Sequence, residues 1–246
     1  LDKYHNGPDG KQRVWIAQGT YITSSTTTAG GISVGLNLSQ NYFTKVFQGL
    51  QVTPWVTAPN AGTPNCLSIA GNRDEVWVFA ATNFGRSQIL RYRSEGNPGT
   101  FLGVYDNTNT PQLSAGFRAN AMYFDDLGRG WVGLSSGGIL IRVNEEWKTM
   151  NDPAVFPGGV IVNPNAITSD QLGNVYIGTS SGLVIYRTGP LDSASSYKRV
   201  TVTDGLPSNN INGVASDTVG KRMILATDAG VSFMQYNKKV DATLEW

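Results

Sequence analysis

Apolar and polar residues alternate in short runs along the chain, and the runs are separated by turns rich in Gly, Asn, Asp, Ser and Thr. Period-two alternation over about four to eight positions is the pattern of β-strands with one buried face. The clearest stretch is "PNAITSDQLGNVYIGTSSGLVIYR" at 164–187. An alternation led by Asn165 runs into an Asp-x-x-Gly-Asn turn, and an aromatic strand around Tyr176 follows. A turn containing Gly182 then opens a further alternating strand.

Weaker copies of this stretch recur. With Tyr176 as anchor, comparable strands are "VWIAQG" at Trp15, "VWVFAAT" at Trp77, "WVGLSS" at Trp131 and "MILATDAG" at Ile224, at separations of 62, 54, 45 and 48 residues. Asn120 and Asn165 each lie 11 residues before their anchors, and Asn65 and Asn212 lie 12 before theirs. Each of these asparagines precedes a small residue and then an apolar one. Asp125, Asp170 and Asp217 stand three residues before Gly128, Gly173 and Gly220 in aligned hairpin turns, and Asp9 is a candidate fourth.

Each unit therefore reads as an Asn-led strand, a hairpin, an anchor strand, a turn, a third strand and a variable segment carrying a fourth, such as "YKRVTVT" at 197–203. Four-stranded antiparallel sheets repeated every ~40–50 residues indicate a β-propeller. The fold expectation is all-β: a five-bladed propeller of four antiparallel strands per blade. It forms one domain over residues 1–246, with blades at 1–50, 51–110, 111–160, 161–204 and 205–246. "KVDATLEW" at 239–246 places Val240, Ala242, Leu244 and Trp246 on one face, as an outer strand of the last blade would. The first residue is Leu rather than Met, so the sequence reads as a processed product or part of a longer protein, and a larger propeller is the second reading.

Composition narrows the function classes. Charged residues make up 15% of the 246, and 19 basic residues against 18 acidic ones give a net charge of +1. No basic stripe suited to nucleic acid is present. No apolar run approaches the ~18–20 residues of a membrane-spanning helix. Cys66 is the only cysteine and His5 the only histidine, which excludes an internal disulfide and a zinc site built from several such ligands. No metal or cofactor is expected.

The segments "TDGLPSNNINGVASDTVGKRMILATDAGVSFM" (203–234) and "NAITSDQLGNVYIGTSSGLVIYR" (165–187) resemble the two-component-regulator type of propeller repeat. "NAMYFDDLGRGWVGLSSGGILIRV" (120–143) resembles it moderately, and the first two units do so mainly through "VWIA" and "VWVF". The resemblance implies an extracytoplasmic location. It points to periplasmic sensor regions of hybrid regulators and to secreted or surface proteins, notably of Bacteroidota, some sorted by type IX secretion.

Asn65, Asn120, Asn165 and Asn212 form the sharpest candidate site. On innermost strands they would ring one mouth of a channel, where amides can hold a sugar, water or small ion. The competing role is structural, each Asn bonding loop backbone. The hairpin aspartates fit turn capping better than calcium, because each belongs to a different hairpin. The adjacent carboxylates Asp125–Asp126, Glu145–Glu146 and Asp74–Glu75 point to opposite faces of a strand, which is not the arrangement of glycoside hydrolysis. Trp15, Trp77, Trp131 and Tyr176 are expected in the core between blades. Trp55, Phe101, Tyr105, Phe117, Trp147 and Phe156 fall in longer segments, where burial in the outer strand is the first reading and exposed rings that stack on sugars or pack on a neighbouring domain the second. The polar insertion "GTYITSSTTTAGG" (19–31) reads as a long loop between the second and third strands, a hairpin tip in the first reading and a contact loop in the second.

The expected function is a non-catalytic extracytoplasmic module that makes protein–protein or protein–glycan contacts in a larger secreted or cell-surface protein. Its partners would be other domains, subunits of a surface assembly or glycans. The alternatives are a periplasmic ligand-sensing propeller and a carbohydrate-active enzyme.

Overall fold

The computed structural model describes residues 14–18, 21–23, 26–28, 31–37, 42–48, 65–81, 87–93 and 101–236. His5, Asp9, Trp55, the side chains of Trp15, Asn65 and Cys66, and the 239–246 segment lie outside the described residues. The chain divides into two compact units, Leu1–Arg118 and Ala119–Trp246.

In the first unit, β1 (Val14–Gln18), β4 (Gly31–Asn37) and β5 (Tyr42–Gln48) form sheet I in the order β1-β4-β5. Between β1 and β4, the expected loop contains a two-stranded hairpin of β2 (Tyr21–Thr23) and β3 (Thr26–Thr28). Its threonines and tyrosine are β-formers, and they pair across the turn instead of staying irregular. Sheet II has the order β6 (Asn65–Gly71), β7 (Glu75–Ala81), β8 (Ser87–Arg93), β9 (Phe101–Tyr105).

The second unit holds three sheets, each a simple antiparallel meander. Sheet III is β10 (Ala119–Phe124), β11 (Gly130–Leu134), β12 (Ile139–Val143) and β13 (Glu146–Met150). Sheet IV is β14 (Val162–Ser169), β15 (Val175–Thr179), β16 (Gly182–Tyr186) and β17 (Tyr197–Val200). Sheet V is β18 (Ile211–Asp217), β19 (Arg222–Thr227) and β20 (Gly230–Gln235). Successive meanders of this kind are blades, and the fold is an all-β propeller type.

In sheets II to V the anchors stand in the second strands as expected, and Trp15 stands in β1, the first described strand of sheet I. Trp77, Trp131 and Tyr176 are fully buried, whereas Ile224 is half-buried. The middle strands are more buried than alternation suggests: every residue of β15 and β16 is buried. Sheet IV has sheet III on one face and sheet V on the other, so both sets of side chains enter a core. Val175, Ile177, Val184, Tyr186 and Tyr197 pack with Trp131, Ile139 and Ile141, while Tyr176, Leu183 and Ile185 pack with Met223, Leu225 and Met234.

Two glycines set how closely the sheets approach. A Cβ on Gly133 would overlap the Val162 side chain, and one on Gly178 would lie 2.9 Å from both the Ala166 Cβ and the Ile211 carbonyl oxygen. The first strands β10, β14 and β18 therefore lie against one another. The fourth strand of sheet IV stops at Val200, short of the run that alternation predicts. There Thr201 and Asp204 form a capping box on a single 3-10 turn, and Gly205 leaves it in the left-handed conformation (φ 102°).

Candidate functional site

The candidate asparagines sit at a recurring break in the sheets. In sheets II to V the first strand bulges at one place: between Cys66 and Ser68, Ala119 and Ala121, Val162 and Ile167, and Ile211 and Gly213. The residues entering the bulge, Cys66, Ala119, Val162 and Ile211, pair with Ala80, Leu134, Thr179 and Thr227, each three positions after its anchor. A bulge leaves its extra residue out of the ladder and re-aims the side chain. The residues re-aimed are Leu67, Asn120, Asn163 and Asn212.

Two of these amides tie one sheet to the next. Asn120 donates from Nδ2 to the Val162 carbonyl at 2.9 Å, and Asn163 donates to the Ile211 carbonyl at 2.8 Å. Asn165 does not stand in the position of Asn120. The bulge of sheet IV is longer and contains Asn163, Pro164 and Asn165, and Asn165 is its exposed, left-handed member (φ 55°). Asparagine tolerates that conformation better than most side chains. Asn65 stands at the start of β6, paired with Ala81, one residue ahead of the bulge.

In sheet V the equivalent amide does something else. Asn212 is exposed and donates to Asp228 Oδ1 at 2.7 Å. Asn210 joins it, donating to both Asp228 oxygens at 3.1 and 3.0 Å and to Asn212 Oδ1 at 3.1 Å. Asn163 reaches the same group through Asn210 Oδ1 at 2.9 Å. The four side chains form one polar chain, Asn163–Asn210–Asn212–Asp228, at the end of the sheets where the first strands begin. The donated bonds, first from Asn212 and then from Asn210, hold the Asp228 carboxyl below the ordinary 3.8. In the equivalent turn of sheet IV stands Ser180, whose hydroxyl accepts the Ile161 N–H at 3.0 Å. Asp228 replaces that structural link with an exposed charge.

Asn163, Asn210 and Asp228 were not singled out by the sequence pattern. The signals were the paired asparagines of "NPN" and "NNIN" and the Asp of "TDAG" where sheet IV has "TSSG".

The hairpin aspartates at the opposite ends of these strands cap their own turns. Asp170 accepts from Leu172 N and Asn174 N through Oδ1, and from Asn174 Nδ2 and the Tyr176 hydroxyl through Oδ2, all within 2.7–3.0 Å. Asp125 repeats this with Leu127 N, Arg129 N, Arg129 Nε and Trp131 Nε1. Each therefore also holds its anchor ring by the polar tip. Burial, with the Asp170 charge behind it, raises the Tyr176 hydroxyl well above its ordinary value. Asp217 binds Gly220 N at 2.8 Å and Arg222 Nε at 2.9 Å, and these two, the Gly220 bond first, lower its carboxyl. In sheet II the shorter turn is capped by Asn72, which accepts Asp74 N and Glu75 N at 2.9 Å.

The adjacent carboxylates do not converge. Asp125 is buried in its turn and Asp126 is exposed; Glu75 meets Arg91 at 2.7 Å while Asp74 is exposed. Glu145 pairs with Arg142 and Glu146 with Lys148. Of the aromatics in the longer segments, Phe117 and Phe156 are buried, Tyr105 and Trp147 half-buried, and Phe101 exposed. No group of three or more potential metal ligands exists among the described residues.

No protein-family model matches the sequence, and no curated protein matches it. Solved structures do. The chain resembles PorZ, a bacterial surface component of the type IX secretion system of Porphyromonas gingivalis, with a TM-score of 0.64 at 18% identity over 91% of this chain and 31% of that one. It also resembles the extracellular domain of the hybrid two-component system BT3049 from B. thetaiotaomicron, with a TM-score of 0.55 at 16% identity over 96% of this chain and 30% of that one. YCF48, solved bound to D1 peptide, gives a TM-score of 0.53 at 13% identity over 88% of this chain and 60% of that one. These likenesses establish the fold, and they include the kind of protein to which the repeat resemblance points. The chain spans about a third of the length of the first two.

Proposed function

We propose that this chain is a non-catalytic extracytoplasmic propeller module that makes protein or glycan contacts within a longer secreted or cell-surface protein. One observation carries this reading: nine-tenths or more of the chain superposes on about a third of proteins that are themselves a surface component and an extracellular domain. Among the described residues, the separation of the adjacent carboxylates into turns and ion pairs supports the non-catalytic part. The periplasmic ligand-sensing reading keeps support from the hybrid two-component likeness.

Within this module the contact point is the polar end of sheet V, with Asn212 as its centre. There the bulge amide serves an exposed carboxylate instead of a neighbouring strand. Asn120 is committed to structure, and Asn165 stands exposed in the bulge of the preceding sheet. A photo-crosslinking side chain at position 212 of the whole protein, activated in the cells that make it, tests the proposal. The expected result is an adduct with a protein or glycan, absent when the probe stands at the hairpin-tip position 219. Equal adducts at both positions, or none at 212, would refute it.

A further inference from the structure

Thr227, beside Asp228, closes the turn between β19 and β20 without help. Its hydroxyl accepts the Ala229 N–H at 3.2 Å and donates to the Gly230 carbonyl at 2.9 Å. Thr179 closes the equivalent turn of sheet IV in the same way, with Ser181 N at 3.0 Å and the Gly182 carbonyl at 2.7 Å. Asp228 is therefore not needed by its own turn. Asp125, Asp170 and Asp217 each accept backbone N–H groups. The bonds that Asp228 accepts among the described residues come instead from two side-chain amides, Asn210 and Asn212.

The valences left over define what this group can hold. A carboxylate only accepts, so it turns the Nδ2 of each neighbouring amide towards itself and fixes which atoms remain. Asp228 Oδ1 takes Asn212 and Asn210, while Oδ2 takes Asn210 alone and keeps room for a further donor. Asn212 Nδ2 spends one hydrogen on Asp228 and keeps the other, and its Oδ1 takes Asn210 and keeps a lone pair. Asn210 Nδ2 has no hydrogen left. The free set is thus a charged acceptor beside an amide that both donates and accepts, and both residues are exposed.

Few chemistries match that set. Lys and Arg side chains only donate, and would set a cation against the free Asn212 N–H. A trans peptide unit points its N–H and C=O in opposite directions, so one unit cannot reach both groups. Phosphate, sulfate and acidic sugars meet the like charge of Asp228. Adjacent hydroxyls fit: one donates to Asp228 Oδ2 in a charge-assisted bond, and its neighbour accepts from Asn212 Nδ2. We propose that Asp228 and Asn212 form a subsite for a neutral glycan, held through a vicinal diol of one sugar ring. The proposal rests on the reading of this end of sheet V as the contact point, and it narrows that reading from protein or glycan to glycan.

Saturation-transfer NMR on the whole protein tests this, with millimolar methyl glycosides of gluco, galacto and manno configuration. Two control ligands are methyl galacturonide, which adds a carboxylate, and cyclohexanol, which offers a ring with a single hydroxyl. At least one neutral glycoside should receive saturation, and both controls severalfold less. Asp228→Asn and Asn212→Ala should each lower the glycoside signal about tenfold, while Val219→Thr, on the hairpin tip at the opposite end of the sheet, should leave it unchanged. A silent glycoside panel, equal saturation of galacturonide, or an unchanged signal in Asp228→Asn would overturn the proposal. Saturation of acetyl-lysinamide in place of the glycosides would overturn it in favour of a basic protein segment. A protein adduct at position 212 beside a silent panel would leave the contact reading standing and remove this one alone. The comparison of glycosides with the control ligands decides the matter even if the variants do not fold.

Discussion

The Asn120 amide donates to the Val162 carbonyl of the next sheet. Asn120→Ala strands the Val162 carbonyl and should cost about 1–2 kcal/mol of stability, measured by denaturant unfolding. Asn163→Ala should cost about as much through the Ile211 carbonyl. Asn165 behaves differently, because it contributes a left-handed backbone and no bond to the neighbouring strand among its described contacts. Asn165→Gly should leave stability within about half a kcal/mol of the parent, whereas Asn165→Val should lower it by roughly 1–2 kcal/mol. A destabilising Asn165→Gly would show that the side chain does more. The sequence made Asn165 legible through its Asn-Ala dipeptide but hid Asn163. Alignment assumes bulges of equal length, and this bulge is longer than that at Asn120. Asp228 was hidden for another reason. A single charge in a turn reads as solvated until the chain folds two amides onto it.

At the scale of strands and turns, the repeat was legible because each blade must solve the same problems: a capped hairpin, a buried anchor and a glycine turn. Asp170 satisfies two turn N–H groups, an amide and the Tyr176 hydroxyl together. Asp170→Ala should therefore destabilise by about 3 kcal/mol or more, with loss of buried donors' partners as the main cause. Tyr176 and Tyr197 are both raised, chiefly by burial, so the folded state keeps their protons longer than the unfolded chain does. Their contribution is fully present below about pH 10 and is lost as pH rises beyond it. Unfolding midpoints should thus fall above about pH 10, and a Tyr176→Phe variant should show a shallower fall. Sheet spacing was less legible. Gly178 looks like a strand glycine until the Ile211 carbonyl is seen against it; Gly178→Ala should cost roughly 1–3 kcal/mol by overpacking. The Thr-rich 19–31 segment reads as a long polar loop ending in a hairpin tip, and the pairing of Tyr21–Thr23 with Thr26–Thr28 makes it a hairpin with its own two strands.

At the scale of the whole molecule, fold and activity separate. The all-β propeller type follows from spacing alone, but a propeller is a scaffold that hosts many functions. What differs between repeats carries the functional reading: the Asn210–Asn212–Asp228 end of sheet V. The claim on which the rest depends is that the chain works outside the cytoplasm. Membrane-impermeant amine labelling of the native protein in the cells that make it tests this most directly. Lys221, exposed on a hairpin of sheet V, serves as the reporter. The account predicts that Lys221 is modified in intact cells, or once the outer membrane alone is opened, while a cytoplasmic marker stays unlabelled. Modification of Lys221 only after the cytoplasmic membrane is broken, in step with that marker, would contradict it.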